Sequence, residues 1–232
     1  MSLAAQVARE GFARLRPAQA QAAIGLAPAA LADWAGSWER LETDGFMADG
    51  GRYRRRRLAN FAALPGVPGH VRGLHRPHFQ ATVHNTLNGG VDRWFAPVED
   101  GIAAHPATLA LLEMGRGVAA ALRPATAFFV EMHQFRIEAA AGTPGLPTPE
   151  GVHHDGVDCV LIAMVARTNL RGGETLVTDP QRRELARFTL DGLLDLAVMD
   201  DRRVMHGVTP VEPADPMAAS CRDVLVLTWK AA

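Results

Sequence analysis

Apolar residues follow a helical spacing in the first half of the chain and a strand spacing in the second half. Helical spacing runs over 29–41 and over 107–122, and each of these segments follows a proline. Proline favours the first turn of a helix, because the N–H that it lacks has no partner there. Before them, the pattern predicts a short helix over 3–8 and a first strand over 11–15.

In the segment 128–138, alternate residues are predicted to share a face, and this period of two is the spacing of side chains on one face of a β-strand. Glu131 and His133 point to one face of this strand, and Gln134 and Arg136 point to the other. We expect Gln134 or Arg136 to reach a co-substrate or substrate. The alternative is that both belong to a solvated face.

Further strands are predicted over 53–61, 80–87, 151–155, 159–168, 174–178, 184–190, 194–199, 204–208 and 224–229. Short strands separated by turn residues are typical of a β-sandwich or barrel. Because the helices come early and most strands come late, the pattern predicts an α+β fold with helices packed on one face of a barrel.

Length and composition fit one sizeable domain of 232 residues, with 48% apolar and 21% charged residues. A formal net charge of -1 gives no argument for a nucleic-acid or membrane partner. Cys159 and Cys221 have no motif spacing, which favours free thiols in a reducing compartment. With no signal-like segment and no apolar run of about 20 residues, we expect a cytoplasmic protein.

The sharpest chemical feature is the run Gly151-Val152-His153-His154-Asp155-Gly156. Side chains two apart on a strand share a face, so His153 and Asp155 can point at one ion while His154 points away. His206 is the only histidine after position 154. Two histidines and one carboxylate form the facial triad of non-haem iron(II) oxygenases, which leaves coordination positions open.

Arg222, before the apolar run of the last strand, is the candidate for binding a carboxylate, because a guanidinium makes a planar, two-pronged contact with it. The arginine run 52–57 is a second candidate, for the carboxylate of an amino-acid substrate, or else a salt-bridged strand. Trp94 is a candidate pocket wall. Asn85 and Asn88 are candidates for a loop over the site, or for simple turns.

Several motifs together resemble the 2-oxoglutarate/iron dioxygenase superfamily. They are Asn85-Thr86-Leu87-Asn88-Gly89-Gly90 with Arg93-Trp94-Phe95 after it, His133-Gln134-Phe135-Arg136, the run 151–156, Gly172-Gly173-Glu174-Thr175, Met205-His206-Gly207-Val208-Thr209-Pro210 and the Arg222 strand. The chain looks most similar to the small bacterial branch with free L-isoleucine and related amino-acid hydroxylases and BsmA-like proteins.

This resemblance implies a double-stranded β-helix, a jelly-roll (cupin-like) barrel, with supporting N-terminal helices. It implies iron(II) and 2-oxoglutarate as cofactors, His153, Asp155 and His206 as metal ligands, and Arg222 as the 2-oxoglutarate arginine. Gln134 is a further candidate for co-substrate binding. We expect a single domain over 1–232, with support in 1–125 and the metal-binding barrel core in 126–230.

The expected reaction uses dioxygen to hydroxylate a small molecule, with free aliphatic L-amino acids as first candidates. One alternative is a cupin-like hydrolase or isomerase that uses another metal on the same three ligands. A second alternative is a non-catalytic stress-response module that binds a ligand without turnover.

Overall fold

The computed structural model describes residues 1–83, 87 and 89–232, and antiparallel sheet dominates it. The helices are α1 (Leu3–Glu10), α2 (Pro17–Ile24), α3 (Pro28–Gly36), α4 (Asp100–Ala103) and α5 (Pro106–Leu122). The strands are β1 (Phe12–Leu15), β2 (Glu42–Thr43), β3 (Arg54–Ala63), β4 (Val71–Arg72), β5 (Phe128–Ala139), β6 (Cys159–Thr168), β7 (Leu170–Gly172), β8 (Glu174–Thr178), β9 (Glu184–Thr189), β10 (Leu196–Asp200), β11 (Met205–Val208), β12 (Val211–Pro213) and β13 (Ser220–Ala231).

The largest sheet runs in the order β1-β10-β6-β13-β5-β3-β2, and β4 pairs with β3. Strand β13 lies near its centre and pairs with β5 on one side and β6 on the other. Two smaller sheets have the orders β11-β8-β9 and β12-β7. The described part of the chain is therefore an antiparallel α+β structure, as the sequence pattern predicts.

Strand β6 shows how the large sheet is buried on both faces. Cys159, Leu161 and Ala163 pack into the core that the sheet shares with the helices. The alternate residues Val160 and Ile162 pack into a second core, which includes residues of β8 and β9. Burial on both faces explains why this strand is a continuous apolar run without polar alternation.

Helix α5 packs closely on the large sheet because it carries a glycine at the contact. A Cβ atom on Gly115 would lie 2.0 Å from Cη2 of Trp229, which is fully buried. Leu111 and Leu112 on the same helix are also fully buried. The helix begins after His105, whose Nδ1 accepts a hydrogen bond from the N–H of Ala107.

Two sequence predictions are wrong in detail. The predicted helix over 29–41 ends at Gly36 and continues as a 3-10 turn, Ser37–Arg40. The segment 151–155 forms a single β-bridge at His153 instead of a strand. Gly151 and Gly156 flank it with φ of 81° and 79°, a left-handed backbone that interrupts extended structure.

The predicted strand over 80–87 lies partly outside the described residues, and its described part forms no strand. The other long elements appear within a few residues of their predicted ends. In the described part of the chain, no helix is long and apolar enough to cross a membrane.

Candidate active site

A cavity of about 460 Å³ lies against the large sheet. Alternate residues of β5, among them Glu131, His133 and Phe135, line it. The other residues of that strand, such as Val130 and Met132, pack into the core shared with the helices. A volume of this size suits a small molecule.

His153 and His206 meet in this cavity although they are distant in sequence. The N–H of His153 donates to the carbonyl of His206 at 2.9 Å, and the N–H of His206 donates to the carbonyl of His153 at 3.0 Å. Their ring centroids are 4.8 Å apart. This two-residue bridge makes the chain at 153 an extension of the small sheet that contains β11.

Asp155 completes a trio with these two histidines. Its Oδ1 lies 3.3 Å from Nε2 of His153, and its Oδ2 lies 3.7 Å from Nε2 of His206. One nitrogen or oxygen atom from each residue lies within 4.8 Å of the others. The spacing matches the expectation from the sequence that these three side chains converge.

The proton on His153 is fixed by its main-chain partner. Nδ1 of His153 lies 2.9 Å from the carbonyl oxygen of Gly151, so Nδ1 must donate and Nε2 is the ring nitrogen that faces the trio. Metal-bound histidines characteristically donate their other ring N–H in this way. The donor set and this orientation of the His153 ring therefore fit a divalent iron ion.

Charge within the trio is strongly perturbed. Burial alone would lower the pKa of His153, but the hydrogen bond to Asp155 and the charge of Glu150 raise it to about 9. Burial lowers the pKa of His206 to about 4. Burial would raise the pKa of Asp155, but the two histidines hold it below its usual range. The carboxylate thus keeps its charge at neutral pH.

Asp201 supports the loop that carries Asp155, a role that sequence reasoning missed. Its carboxylate accepts hydrogen bonds from the N–H groups of Asp155, Gly156 and Val157 at 3.0, 2.8 and 3.1 Å. Nδ1 of His154, which points away from the trio as expected, donates to the Asp201 carbonyl. The loop is therefore held by hydrogen bonds instead of a strand ladder.

A second trio in the same cavity, His78, Glu131 and His133, has similar spacing but does not fit a metal. Nη2 of Arg56 donates to Nδ1 of His133 at 2.7 Å, so Nε2 of His133 carries the proton and faces Glu131. Burial lowers the pKa of His133 to about 3, which keeps the ring neutral. His133 has no lone pair left for an ion.

Arg222 lines the cavity from β13 and is only 3% exposed. Its Nε has no hydrogen-bond partner among the described residues, and no acidic group there lies within ion-pair distance of its guanidinium. Burial lowers the pKa of Arg222 to about 10, and the nearby Arg167 acts in the same direction. A buried, unpaired guanidinium fits the carboxylate of a bound organic acid.

The expectation for Gln134 is wrong. Its side chain lies on the opposite face of β5, where Nε2 donates to the hydroxyl of Ser37 at 2.9 Å. Within the described residues it does not line the cavity, and neither does Arg136, which pairs with Asp223 and Glu39. The alternation along β5 predicted which residues share a face, but it did not identify which of the two faces lines the cavity.

Other expectations have mixed outcomes. Trp94 is 58% exposed and is not among the described residues that line the cavity. Asn85 and Asn88 lie outside the described residues.

In the arginine run, Arg54 and Arg56 line the cavity. Their alternates Arg55 and Arg57 pair instead with Glu138 and Glu42. The sequence analysis gave no role of their own to Arg93 and His78, which line the cavity from a segment without periodicity.

The fold and the cavity define a class of protein that the comparisons also find. Residues 35–228 match the family model described as 2OG-Fe dioxygenase, so the chain belongs to the iron- and 2-oxoglutarate-dependent dioxygenases. The protein is therefore an oxygenase enzyme with iron(II) and 2-oxoglutarate as cofactors. The hydrolase, isomerase and non-catalytic alternatives are not supported.

A solved structure of a BsmA homologue from Methylobium petroleophilum PM1 is 37% identical to this chain. It has a TM-score of 0.89, with 99% of this chain and 92% of that chain covered. The IDO protein from Bacillus thuringiensis shares the fold, at 18% identity and a TM-score of 0.83, with 100% of both chains covered.

A relative from Pantoea ananatis (strain AJ13355), 3(1)-hydroxy-L-isoleucine 4-dioxygenase, is 25% identical over 162 residues. The alignment covers 68% of this chain and 65% of that relative. These similarities agree with the superfamily and the bacterial branch that the sequence motifs indicate.

Proposed function

We propose that this enzyme hydroxylates a small molecule, with a free aliphatic L-amino acid as the first candidate. In this proposal His153, Asp155 and His206 hold the iron, and Arg222 binds the distal carboxylate of 2-oxoglutarate. The observation that carries the proposal is the convergence of the three side chains in a cavity that also contains an unpaired, buried guanidinium.

Each residue has a defined task. His153 and His206 present ring nitrogens, and the Gly151 carbonyl keeps His153 in the required tautomer. Asp155 supplies a negative charge, and Asp201 orients the main chain beside it. When bound, iron and 2-oxoglutarate supply dioxygen activation, in which one oxygen atom enters succinate, the other enters the substrate, and carbon dioxide leaves.

The cavity also offers an apolar wall for an aliphatic substrate. Phe135, Ile162, Val224 and Val226 line it from the central strands of the large sheet. Such a wall excludes water from the reacting C–H bond. The printed name of the Pantoea relative, an isoleucine-derivative dioxygenase, supports an amino-acid substrate.

The architecture belongs to the same proposal. We take the facing sheets to form the double-stranded β-helix expected from the resemblance. We take 1–232 as a single domain with support in 1–125 and the metal-binding core in 126–230. Arg54, His78 and Arg93 come from the support segment but line the cavity, so both parts build the site.

The test is reconstitution under nitrogen with iron(II) and 2-oxoglutarate, followed by oxygen and a panel of free amino acids. We expect succinate release coupled to a mass gain of one oxygen atom in an aliphatic L-amino acid, and neither product with Asp155→Ala. Turnover of peptides or nucleic acids but of no free amino acid would contradict the substrate. Metal-dependent turnover without 2-oxoglutarate would contradict the function itself.

A further inference from the structure

Three arginine side chains form a second positive group in the cavity, apart from Arg222. Arg54 and Arg56 extend from β3, and Arg93 extends from the segment between β4 and α4. They are 6%, 3% and 2% exposed. The main chain of Arg93 is held by two hydrogen bonds with His78, at 2.9 and 3.0 Å.

These arginines have too few anionic partners. Among the described residues, Asp44 is the one acid within ion-pair distance. It lies 2.7 Å from Nε of Arg54 and 3.7 Å from Nη1 of Arg56. The guanidinium of Arg93 has no such partner there. Glu131, which also lines the cavity, is 2.8 Å from Nδ1 of His78 and is already engaged by it.

Several donors of the group therefore remain unsatisfied although they are buried. Within the described residues, Nη2 of Arg54, Nε of Arg56, and Nε and Nη2 of Arg93 have no hydrogen-bond partner. Burial and the neighbouring Arg54 lower the pKa of Arg93. A buried cation without a partner is costly, so this arrangement suits a site whose anion arrives as a ligand.

Aromatic rings keep the group rigid. The guanidinium carbon of Arg56 lies 3.7 Å from the centroid of Phe95 and 4.4 Å from that of Phe135. The guanidinium carbon of Arg93 lies 6.0 Å from the Phe95 centroid. Arg56 and Arg93 thus share one aromatic neighbour and are preorganised for a common ligand.

The anion for this group is separate from the one proposed for Arg222. Strand β5 lies between β3 and β13, and Ile137 of β5 pairs with Arg54 on one side and Arg222 on the other. The main chains of Arg54 and Arg222 are therefore roughly 10 Å apart, two strand spacings. A metal cation is disfavoured here, because three guanidinium groups surround the place and His133 has no free lone pair.

We propose that Arg93, with Arg54 and Arg56 beside it, binds the carboxylate of the substrate. The inference rests on the proposed function and makes it more specific. The substrate must carry a free carboxylate, and the aliphatic part of an α-amino acid lies against the apolar wall of the cavity. Phe135, which lies under the guanidinium of Arg56, is part of that wall.

The experiment is calorimetric titration under nitrogen, which measures binding without turnover. L-isoleucine, L-leucine, L-valine and L-isoleucinamide are titrated into the protein loaded with iron(II) and 2-oxoglutarate. 2-Oxoglutarate is titrated separately into the iron-loaded protein. The variants are Arg93→Met, Arg93→Lys and the matched control Arg55→Met, whose arginine lies on β3 but pairs with Glu138 outside the cavity.

We expect Arg93→Met to weaken amino-acid binding about 30-fold or more, equivalent to about 2 kcal/mol. Arg93→Lys should recover part of the affinity, and Arg55→Met should bind as the wild type does. 2-Oxoglutarate affinity should be unchanged in all three variants. The thermal midpoint of Arg93→Met should not fall, because the variant removes an unpaired buried charge. L-isoleucinamide should bind far more weakly than L-isoleucine.

Three results would overturn the inference. Arg93→Met could bind amino acids as tightly as the wild type does, or L-isoleucinamide could bind as tightly as L-isoleucine. The wild type could also bind no free amino acid at all. Loss of 2-oxoglutarate affinity in Arg93→Met would also overturn it, by assigning this group to the co-substrate. Failure of the proposed function is distinct. In that case the wild type would bind no 2-oxoglutarate, whether or not amino-acid binding depends on Arg93.

Discussion

Arg136 holds the carboxylate of Asp223 through two hydrogen bonds, from Nε to Oδ1 at 2.8 Å and from Nη2 to Oδ2 at 2.7 Å. Asp223 is therefore neutralised on the face of β13 that points away from the cavity. Its sequence neighbour Arg222 points into the cavity, without an acidic partner in the part of the chain that the structure describes. Loss of Arg222 and loss of Arg136, the partner of Asp223, should therefore have different effects.

Arg222→Met should weaken 2-oxoglutarate binding about 30-fold or more, because a buried charge pair loses one member. Iron content and the thermal midpoint should be maintained. The matched variant Arg136→Met should keep 2-oxoglutarate affinity but lose about 3 kcal/mol of stability, because it leaves Asp223 buried and unpaired. Calorimetric titration and urea unfolding measure the two effects. Normal 2-oxoglutarate affinity in Arg222→Met would exclude Arg222.

The two trios in the cavity should differ in metal binding. His206→Ala removes a proposed ligand, so we expect the affinity for iron(II) to fall by at least about 100-fold. This loss is larger than the one typical when only a hydrogen-bond partner of a ligand is removed. His133→Gln alters the other trio, in which both ring nitrogens of His133 already have partners, and this variant should bind iron(II) as the wild type does. Metal analysis after anaerobic dialysis makes the comparison. The reverse ranking would move the metal to His78, Glu131 and His133.

Two glycines of α5 provide a stability test of the fold. Gly115→Ala would place a Cβ 2.0 Å from Trp229, so we expect a loss of about 3 kcal/mol from overpacking. Gly117 is exposed, and within the described residues nothing lies within 4 Å of a Cβ added there. Gly117→Ala should therefore raise stability, by up to about 1 kcal/mol. Equal effects of the two variants in urea unfolding would refute the proposed packing.

His70 should make the protein less stable in mild acid. Burial lowers its pKa to about 4, and its Nε2 accepts a hydrogen bond from Nε1 of Trp229 at 3.3 Å. The unfolded chain, with a histidine pKa of about 6.5, binds more protons between these values. The free energy of unfolding therefore falls as the pH drops through this window.

Replacing His70 by Gln removes this contribution. Between about pH 7.5 and about pH 5, the free energy of unfolding of the variant should fall by about 2 kcal/mol less than that of the wild type. Urea unfolding at both pH values provides the measurement, and the data at the higher pH give the baseline effect of the substitution. Parallel pH dependence of the two proteins would show that His70 does not contribute.

Local patterns in the sequence predicted much of the fold. Strand β6 was predicted with its observed ends because its apolar run is bounded by polar residues. The convergence of His153 and Asp155 was also predictable, since it needs only two-residue spacing. The strand assumed for that spacing was not found. Two glycines and the carboxylate of Asp201 hold the segment instead, a contact between distant parts of the chain.

The polar lining of the cavity was harder to predict. Because the large sheet is buried on both faces, polarity did not show which face of β5 meets the cavity, and Gln134 was chosen in place of Glu131 and His133. Arg93 lies in a segment without helical or strand periodicity, and its position depends on pairing with His78. Such tertiary contacts leave no signal in a single sequence.

The most direct test of the central claim is the position of iron and co-substrate in crystals grown under nitrogen with iron(II) and 2-oxoglutarate. We predict one anomalous iron peak, at roughly 2.0–2.3 Å from ligating atoms of His153, Asp155 and His206. We predict the distal carboxylate of 2-oxoglutarate at Arg222. Iron at His78 and Glu131, or 2-oxoglutarate held by Arg93 with Arg222 unpaired, would contradict the account.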